Sequence, residues 1–393
     1  MKRINKLYPT GIWTICPYFC IVVFCFITNS CVTKQLAYKE IKAIDTVVLD
    51  YKISQVRSFY DPEYNTQINT YFRKYDTGFA FCFCIDSITP TTLLPIRAQI
   101  NNYIIENKDS FIIQYAYESQ NNNRFFRIHS DNTIDTLALY LGQLDNKNLT
   151  LGSFSYGFPF KANKDGMRLY YTNVYIDSTS KYLSNKAKRV IKFSYGIVSE
   201  LEVGKSEIIF NGKIMGNYPK IHFSDSTYNH YWPWIALNKN LDFITCYFFI
   251  DSLFVTHQDN SQEHFSLLSR YKTGPSNTMD TSKIFDYDYL SRDAASRLSY
   301  MYLRYDYYRN LYYVVAAKPM PHENEDGTRN DPGDKPWALI VLDSTYSQIA
   351  EIDMPKQFSK HEIMITKEGI AILDENMTAQ NTGKSVFVIF KLD

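Results

Sequence analysis

The sequence has almost no net charge. Its 42 Lys+Arg against 41 Asp+Glu leave +1, too little field to draw in nucleic acid, so no nucleic-acid partner is expected. It also lacks a Gly-x-Ser-x-Gly elbow, a glycine-rich phosphate loop and a His-Glu-x-x-His pair. Those absences remove the usual signatures of serine hydrolases, nucleotide binders and zinc peptidases. No Cys-x-x-Cys pair occurs, and the seven histidines, at 129, 222, 230, 257, 264, 322 and 361, are scattered. Neither a metal nor a cofactor is therefore expected, and no catalytic residue stands out. Glycine (15) and proline (14) are too sparse for a low-complexity chain.

Aromatic side chains are abundant instead. Tyr (33) and Phe (26) dominate an aromatic content of 16%, which favours strands over helices. Cys82, Cys84 and Cys246 are expected as buried free thiols; Cys82 and Cys84, two apart in an apolar run, fall on one strand face, where a disulfide between them would be strained.

The beginning of the chain reads as an export signal. Lys2, Arg3 and Lys6 precede an apolar stretch, densest from Tyr18 to Ile27, and Thr28-Asn29-Ser30 lead to Cys31. A positive start, a short apolar core and small residues before the cut describe a removed signal peptide. The dense part, about ten residues, is short of the roughly twenty that span a bilayer. A cysteine directly after the cut is the lipidation residue of a bacterial lipoprotein, so residues 1–30 are read as signal, Cys31 as the lipid attachment point and 31–45 as a tether. Val32 to Gln35 carry no acidic cluster, which fits an outer-membrane position facing the periplasm.

The remainder, 46–393, contains recurring apolar runs. Gly78–Ile85, Leu169–Ile176, Ile244–Ile250 and Trp337–Leu342 are each followed by Asp-Ser, Arg124–Ile128 by His-Ser-Asp, and Val386–Leu392 ends at Asp393. Such runs read as strands buried on both faces, and the Asp or Ser after them as the start of an Asx-type turn. The unit is thus an inner strand, a turn and a less apolar outer strand, as at Thr91–Ile96, Thr133–Leu139, Leu253–Thr256 and Gln348–Ile352. The runs recur at about 45 residues, the spacing of β-propeller blades. The interval from Asp177 to Asp251 is longer and fits one blade with an insertion or two short ones. The fold class expected is all-β: a β-propeller of seven blades, with six and eight as alternatives. Pairing of Thr46–Ile53 with Val386–Leu392 would close the ring and remove an open edge. A short helix is expected over Tyr289–Tyr300, an exposed loop over Pro321–Lys335 and a loop or short helix over Ser180–Lys188.

Candidate binding residues follow from local chemistry. His230, Tyr231, Trp232 and Trp234 bring two indoles, a phenol and an imidazole together, able to stack on a sugar or peptide or to pack between blades. Arg304 and Asp306 alternate onto one strand face, where an ion pair would stabilise the sheet, and Arg309 stands close by. The acidic loop Glu323–Asp334 departs from the EF-hand ligand order.

Arg304–Tyr313, Lys318-Pro319, Lys335–Asp343 and Ile365–Leu373 together resemble an uncharacterised family of Bacteroidetes lipoproteins. The resemblance implies a β-propeller behind a lipoprotein signal and carries over no catalytic residue. The functional expectation is a membrane-anchored envelope module that binds or scaffolds a protein, peptide or glycan. The alternative is an envelope hydrolase or lyase with its site in the propeller channel.

Overall fold

The apolar runs marked by the sequence are strands, and they occupy the middle of their sheets. The computed structural model describes residues 41–392 except 62–64, 76–77, 86, 89–91, 97–101, 108–109, 117–122, 130, 132, 141–148, 152–159, 164–166, 176–195, 221–232, 273–279, 281–282 and 284–285. All of it belongs to one unit, Tyr38–Asp393. Cys31, the signal, the candidates His230, Tyr231 and Trp232, and the Ser180–Lys188 segment lie outside the described residues.

The chain begins with β1 (Ile41–Leu49), set apart from the strands that follow it. Next, β2 (Ile53–Asp61), β3 (Thr66–Tyr75), β4 (Gly78–Ile85) and β5 (Thr92–Ile96) form one antiparallel sheet in chain order. A second run comprises β6 (Asn102–Asn107), β7 (Ser110–Ala116), β8 (Asn123–His129) and β9 (Ile134–Tyr140). A third comprises β10 (Leu149–Leu151), β11 (Phe160–Asn163), β12 (Met167–Tyr175), β13 (Val198–Val203) and β14 (Glu207–Met215). One parallel pairing, Glu207–Ile209 of β14 beside Ala138–Tyr140 of β9, joins the second and third runs into a nine-stranded sheet.

Two further four-stranded sheets follow in chain order. One holds β15 (Pro233–Leu237), β16 (Phe243–Tyr247), β17 (Ile250–Thr256) and β18 (Gln262–Ser266). The other holds β19 (Ser299–Asp306), β20 (Leu311–Ala317), β21 (Trp337–Leu342) and β22 (Gln348–Met354). The last sheet joins β23 (Phe358–Ile365), β24 (Ile370–Asp374) and β25 (Ser385–Leu392) to β1 from the other end of the chain. In it Thr46 faces Val388 and Val48 faces Val386. The expected partnership of first and last strands is present, with shifted bounds. β1 starts at Ile41, inside the stretch read as tether, and stops at Leu49, while Ile53 opens β2.

Among the described residues the strands form six antiparallel groups, where the spacing gave seven units. The long interval before Asp251 holds the end of the third group and the start of the fourth. The apolar runs are second or third strands, not inner ones: β4, β8, β12, β16, β21 and β25 each have a neighbour on either side. All six residues of β21 are buried, at roughly 1.5–3 kcal/mol for each large apolar side chain. The first strands β2, β15, β19 and β23 pack against one another, and β11 packs against β2 and β6.

The turn chemistry splits. Asp343 does start an Asx turn, its Oδ1 accepting from the N–H groups of Thr345 (2.8 Å) and Ser347 (3.0 Å). Asp251-Ser252 does not, because both lie inside β17 and the hairpin turns at Phe248-Phe249. Asp251 accepts from the Tyr300 hydroxyl at 2.9 Å and pairs with Lys272 at 2.6 Å. Gly369 closes the β23–β24 turn; a Cβ there would stand 2.1 Å from the Phe390 carbonyl oxygen, so only glycine fits.

The expected helix is α1 (Tyr287–Ser296), started by Asp286, whose side chain accepts from the Tyr289 N–H at 3.0 Å. It ends before Tyr300 because β19 takes over at Ser299. The 321–335 loop is largely exposed, but its last residue, Lys335, is buried beneath the end of α1 and donates to the Ala294 and Arg297 carbonyls. Cys82, Cys84 and Cys246 are buried free thiols, and burial pushes Cys82 up to about 12.

Candidate functional site

Three of the first strands break register. β2 slips against β3 between Ser54 and Arg57, β19 against β20 between Met301 and Arg304, and β23 against β24 between Phe358 and Ile363. Each irregularity bends its strand and re-aims the side chains at the break, a feature common beside binding and catalytic sites. The residues so re-aimed come together as Tyr302, Arg304, His361 and Glu362, with Val56 and Arg57 beside them.

Tyr302 is the centre of this group. It adopts φ +53°, a left-handed conformation that costs a bulky aromatic residue about 1–3 kcal/mol and persists only where neighbours hold it. Those neighbours are identifiable. The Trp234 ring lies tilted against it, 4.5 Å between centroids, and the His361 ring stands edge-on at 5.0 Å. The Tyr302 hydroxyl is bonded to His361 Nδ1, and the Arg304 guanidinium lies 5.9 Å from the Tyr302 ring centre.

The charges beneath the ring are mostly withdrawn from water. Arg304 and Arg57 are 4% and 7% exposed. Burial pushes Arg304 down to about 10; Tyr302 opposes the shift, Arg57 adds to it and Glu362 opposes it. Burial likewise raises the Glu362 carboxyl, against the Val56 N–H that donates to its Oε2 at 3.0 Å and against the Arg304 charge. Partial burial, and then the charge of neighbouring Lys360, hold His361 below its usual value, so it is neutral at neutral pH. A Tyr302 hydroxyl donating to Nδ1 then leaves the ring proton on Nε2, a donor on a side chain that reaches solvent.

A hydrogen-bond staple fixes the strands that carry these residues. Asn69 on β3 donates to the Ile365 carbonyl at 2.7 Å and to the Ser87 carbonyl at 2.9 Å. Its Oδ1 accepts from Ser58 Oγ at 2.6 Å, and Ser58 Oγ accepts from the Ile365 N–H at 3.0 Å. The end of β23 is thereby bonded to side chains of β2 and β3 on the edge opposite its β24 neighbour. Gln67 extends the network, donating to Ser58 Oγ at 3.1 Å and accepting from the Tyr307 N–H at 3.4 Å.

The sequence candidates divide accordingly. Trp234 is 3% exposed, part of the main core and the support of Tyr302. Arg304 joins the Tyr302 group. The expected Arg304–Asp306 ion pair is replaced by another: Asp306 pairs with Arg309 at 3.2 Å, accepts from the Tyr313 hydroxyl at 3.0 Å and caps the Tyr308 and Arg309 N–H groups. Arg309 in turn donates to the Thr366 carbonyl. Asp306 and Arg309 therefore staple the β19–β20 hairpin to the β23–β24 turn.

Tyr302, His361, Glu362 and Arg57 were not singled out by sequence. The one signal was Lys360-His361-Glu362, three ionisable residues inside an otherwise apolar strand. Among the described residues no group of His, Cys, Asp and Glu has the geometry of a metal site. In the 323–334 loop, Asp326 and Asp331 spend a side-chain oxygen on their own turns.

No protein-family model and no curated protein match the chain. Among solved structures, a DUF4221 family member from Bacteroides vulgatus matches with a TM-score of 0.67 and 17% identity, over 91% of this chain and 99% of that one. The two chains share a fold. That likeness agrees with an uncharacterised Bacteroidetes family as the source of the sequence resemblance. A Bacteroides thetaiotaomicron protein of unknown function matches with a TM-score of 0.42 and 10% identity, over 90% and 76% of the two chains. Virginiamycin B lyase from Staphylococcus aureus matches with 0.36 and 8%, over 89% and 99%.

Proposed function

We propose that this chain is a lipid-anchored envelope protein whose sheets close into a six-bladed β-propeller, with a ligand-binding site where the bulged first strands meet at the axis. Support for the shape comes from six successive antiparallel groups, mutual packing of their first strands and the pairing of β1 with β25. The nine-stranded sheet then counts as two blades fused at their outer edges by the β9–β14 contact. Lipid anchoring rests on the signal pattern and Cys31. Stable attachment needs two or more acyl chains, which bacterial lipoproteins carry. Among the described residues no helix is long and apolar enough to cross a membrane.

The observation that carries the binding reading is Tyr302, an aromatic residue held in a strained backbone conformation by Trp234 and His361. Strain of this kind is maintained against a stability cost and concentrates at ligand clamps and active sites. A glycoside-cleaving site would need two carboxyl groups on either side of the bond. In the Tyr302 group Glu362 sits next to two guanidinium groups and its other acidic neighbour, Glu375, acts on the same side chain, an arrangement that does not flank a bond. Binding is therefore preferred to hydrolysis, the ligand being an envelope peptide, protein or glycan.

The test is a thermal-shift screen of envelope peptides and glycan fragments on wild type and on His361→Ala. A compound that stabilises wild type but not the variant supports the site. If every stabilising compound acts equally on both, the Tyr302 group is not where ligand binds.

A further inference from the structure

The Tyr302 group also specifies a ligand chemistry, an inference that rests on the binding reading above. Two buried cationic side chains gather there, Arg57 and Arg304, while Lys360, next to His361 in the chain, turns its ammonium to the Gly333 and Lys335 carbonyls and to Asp331, Asp334 and Glu375. Glu362 is the acid beside Arg304, with Glu375 acting on it from nearby, and one Glu362 oxygen is committed to the Val56 N–H. Charges set in low-dielectric walls project their field into the opening they line. The groups there that reach solvent are the His361 imidazole, whose Nε2 has no protein partner among the described residues, and the half-buried Tyr302 ring.

We propose that this site takes a carboxylate, carried by an acidic sugar or by a peptide C-terminus. A carboxylate oxygen accepts from His361 Nε2–H, and its charge is balanced through space by Arg304 and Arg57. The body of the ligand lies against the Tyr302 ring, which Trp234 backs from the protein side. A neutral amide or hydroxyl could accept the same hydrogen bond, but only an anion gains from the cations behind it. Charge-assisted hydrogen bonds are about twice as strong as neutral ones, so the charge is what sets the preference.

Calorimetric titration of the full-length protein in detergent tests this with two matched pairs: D-glucuronate against D-glucose, and Ala-Ala against its C-terminal amide. The charged member of at least one pair is expected to bind about tenfold more tightly than its neutral partner, a ratio of one decade in Kd. The pair that responds identifies sugar or peptide as the source. Tyr302→Phe, which keeps the ring and removes the hydroxyl that orients His361, and His361→Ala should each weaken that binding about tenfold. Charged and neutral members binding alike, with both variants weakening them, would overturn the carboxylate and leave the site standing. Binding indifferent to both variants would overturn the site and the carboxylate together. No binding by either charged compound at millimolar concentration would overturn the carboxylate.

Discussion

Trp234→Ala separates packing from ligand contact at the best-defined aromatic of the site. Trp234 is 3% exposed on β15 and belongs to the main core, and its ring backs Tyr302 at 4.5 Å. Truncating a buried Trp to Ala costs about 3–5 kcal/mol through lost transfer energy and the cavity left behind, of which the aromatic pair accounts for about 0.5–1.5 kcal/mol. A further effect opposes the loss: without the indole, Tyr302 can leave φ +53° and recover part of its strain. The net expectation is about 2–4 kcal/mol, read by urea denaturation as a lower midpoint at unchanged m. Trp234→Phe, which keeps a ring against Tyr302, should lose less than half as much. A loss below about 1 kcal/mol for Trp234→Ala would refute the packing argument. It would return Trp234 to the role of a ligand-stacking residue, as the sequence cluster with His230, Tyr231 and Trp232 suggested.

Other predictions follow from other parts of the fold. Asn69→Ala leaves the buried Ile365 carbonyl and Ser58 hydroxyl short of partners, at roughly 1–3 kcal/mol for each group left unsatisfied; a denaturation midpoint equal to wild type would mean that water replaces the amide. Burial pushes Lys335 down to about 7, helped by the Lys360 charge, so the unfolded chain binds the extra proton between pH 7 and about 10.5. Stability should therefore rise with pH across that window, by at most about 1.4 kcal/mol per unit, and level off below about 7, where both states hold the proton; Lys335→Met should flatten the slope, and an unchanged slope would assign it to another group. Thr46→Cys with Val388→Cys should form a disulfide under mild oxidation, because the two positions face each other across β1 and β25; failure to cross-link would break the proposed ring closure. Cys31→Ala should abolish incorporation of a labelled fatty acid, and persistent labelling would exclude Cys31 as the lipid site.

Some of this architecture could be read from sequence and some could not, for physical reasons. A strand in the middle of a sheet, covered on both faces by neighbouring sheets, must be apolar throughout, so β4, β16, β21 and β25 announced themselves as runs. The first strands face one another and carry polar side chains, as in Ile53-Ser-Gln-Val-Arg-Ser-Phe-Tyr-Asp61 and Phe358-Ser-Lys-His-Glu-Ile-Met-Ile365. They were correspondingly faint, and the candidate site residues sit on them. Register breaks leave no mark in hydropathy: Met301 faces Val315 and Arg304 faces Tyr313, so β19 carries one residue more than β20 across the bulge at Tyr302–Leu303, and the apolar pattern does not show it. The Phe248-Phe249 turn was hidden for the opposite reason, because an apolar pair at a hairpin looks like more strand. There Phe248 packs against the main core while Phe249 is buried in a satellite cluster with α1 residues.

One Asx turn recurs at three hairpins. His129-Ser-Asp-Asn-Thr133 joins β8 to β9, His257-Gln-Asp-Asn-Ser261 joins β17 to β18, and Asp343-Ser-Thr-Tyr-Ser347 joins β21 to β22. In each, the N–H of the first residue donates to the carbonyl of the fifth, at 3.0, 2.9 and 2.9 Å. An aspartate then accepts from the N–H two residues on, at 2.9, 2.9 and 2.8 Å. All three hairpins link the third strand of a group to its fourth. The same turn also forms in the loop between β20 and β21, where the Asn324 N–H donates to the Thr328 carbonyl at 2.8 Å and Asp326 accepts from the Thr328 N–H at 2.9 Å. An Asp with Ser or Thr two residues later therefore marks a turn and not its place in the sheet. Asp343→Ala removes the acceptor of the Thr345 and Ser347 N–H groups and should cost about 1–2 kcal/mol. Hydrogen exchange should accelerate at those two amides while the buried amides of β21 keep their protection. Exchange rising along the whole of β21 would show that the turn holds the sheet's register, and the hairpin would then be a determinant of the blade instead of its end.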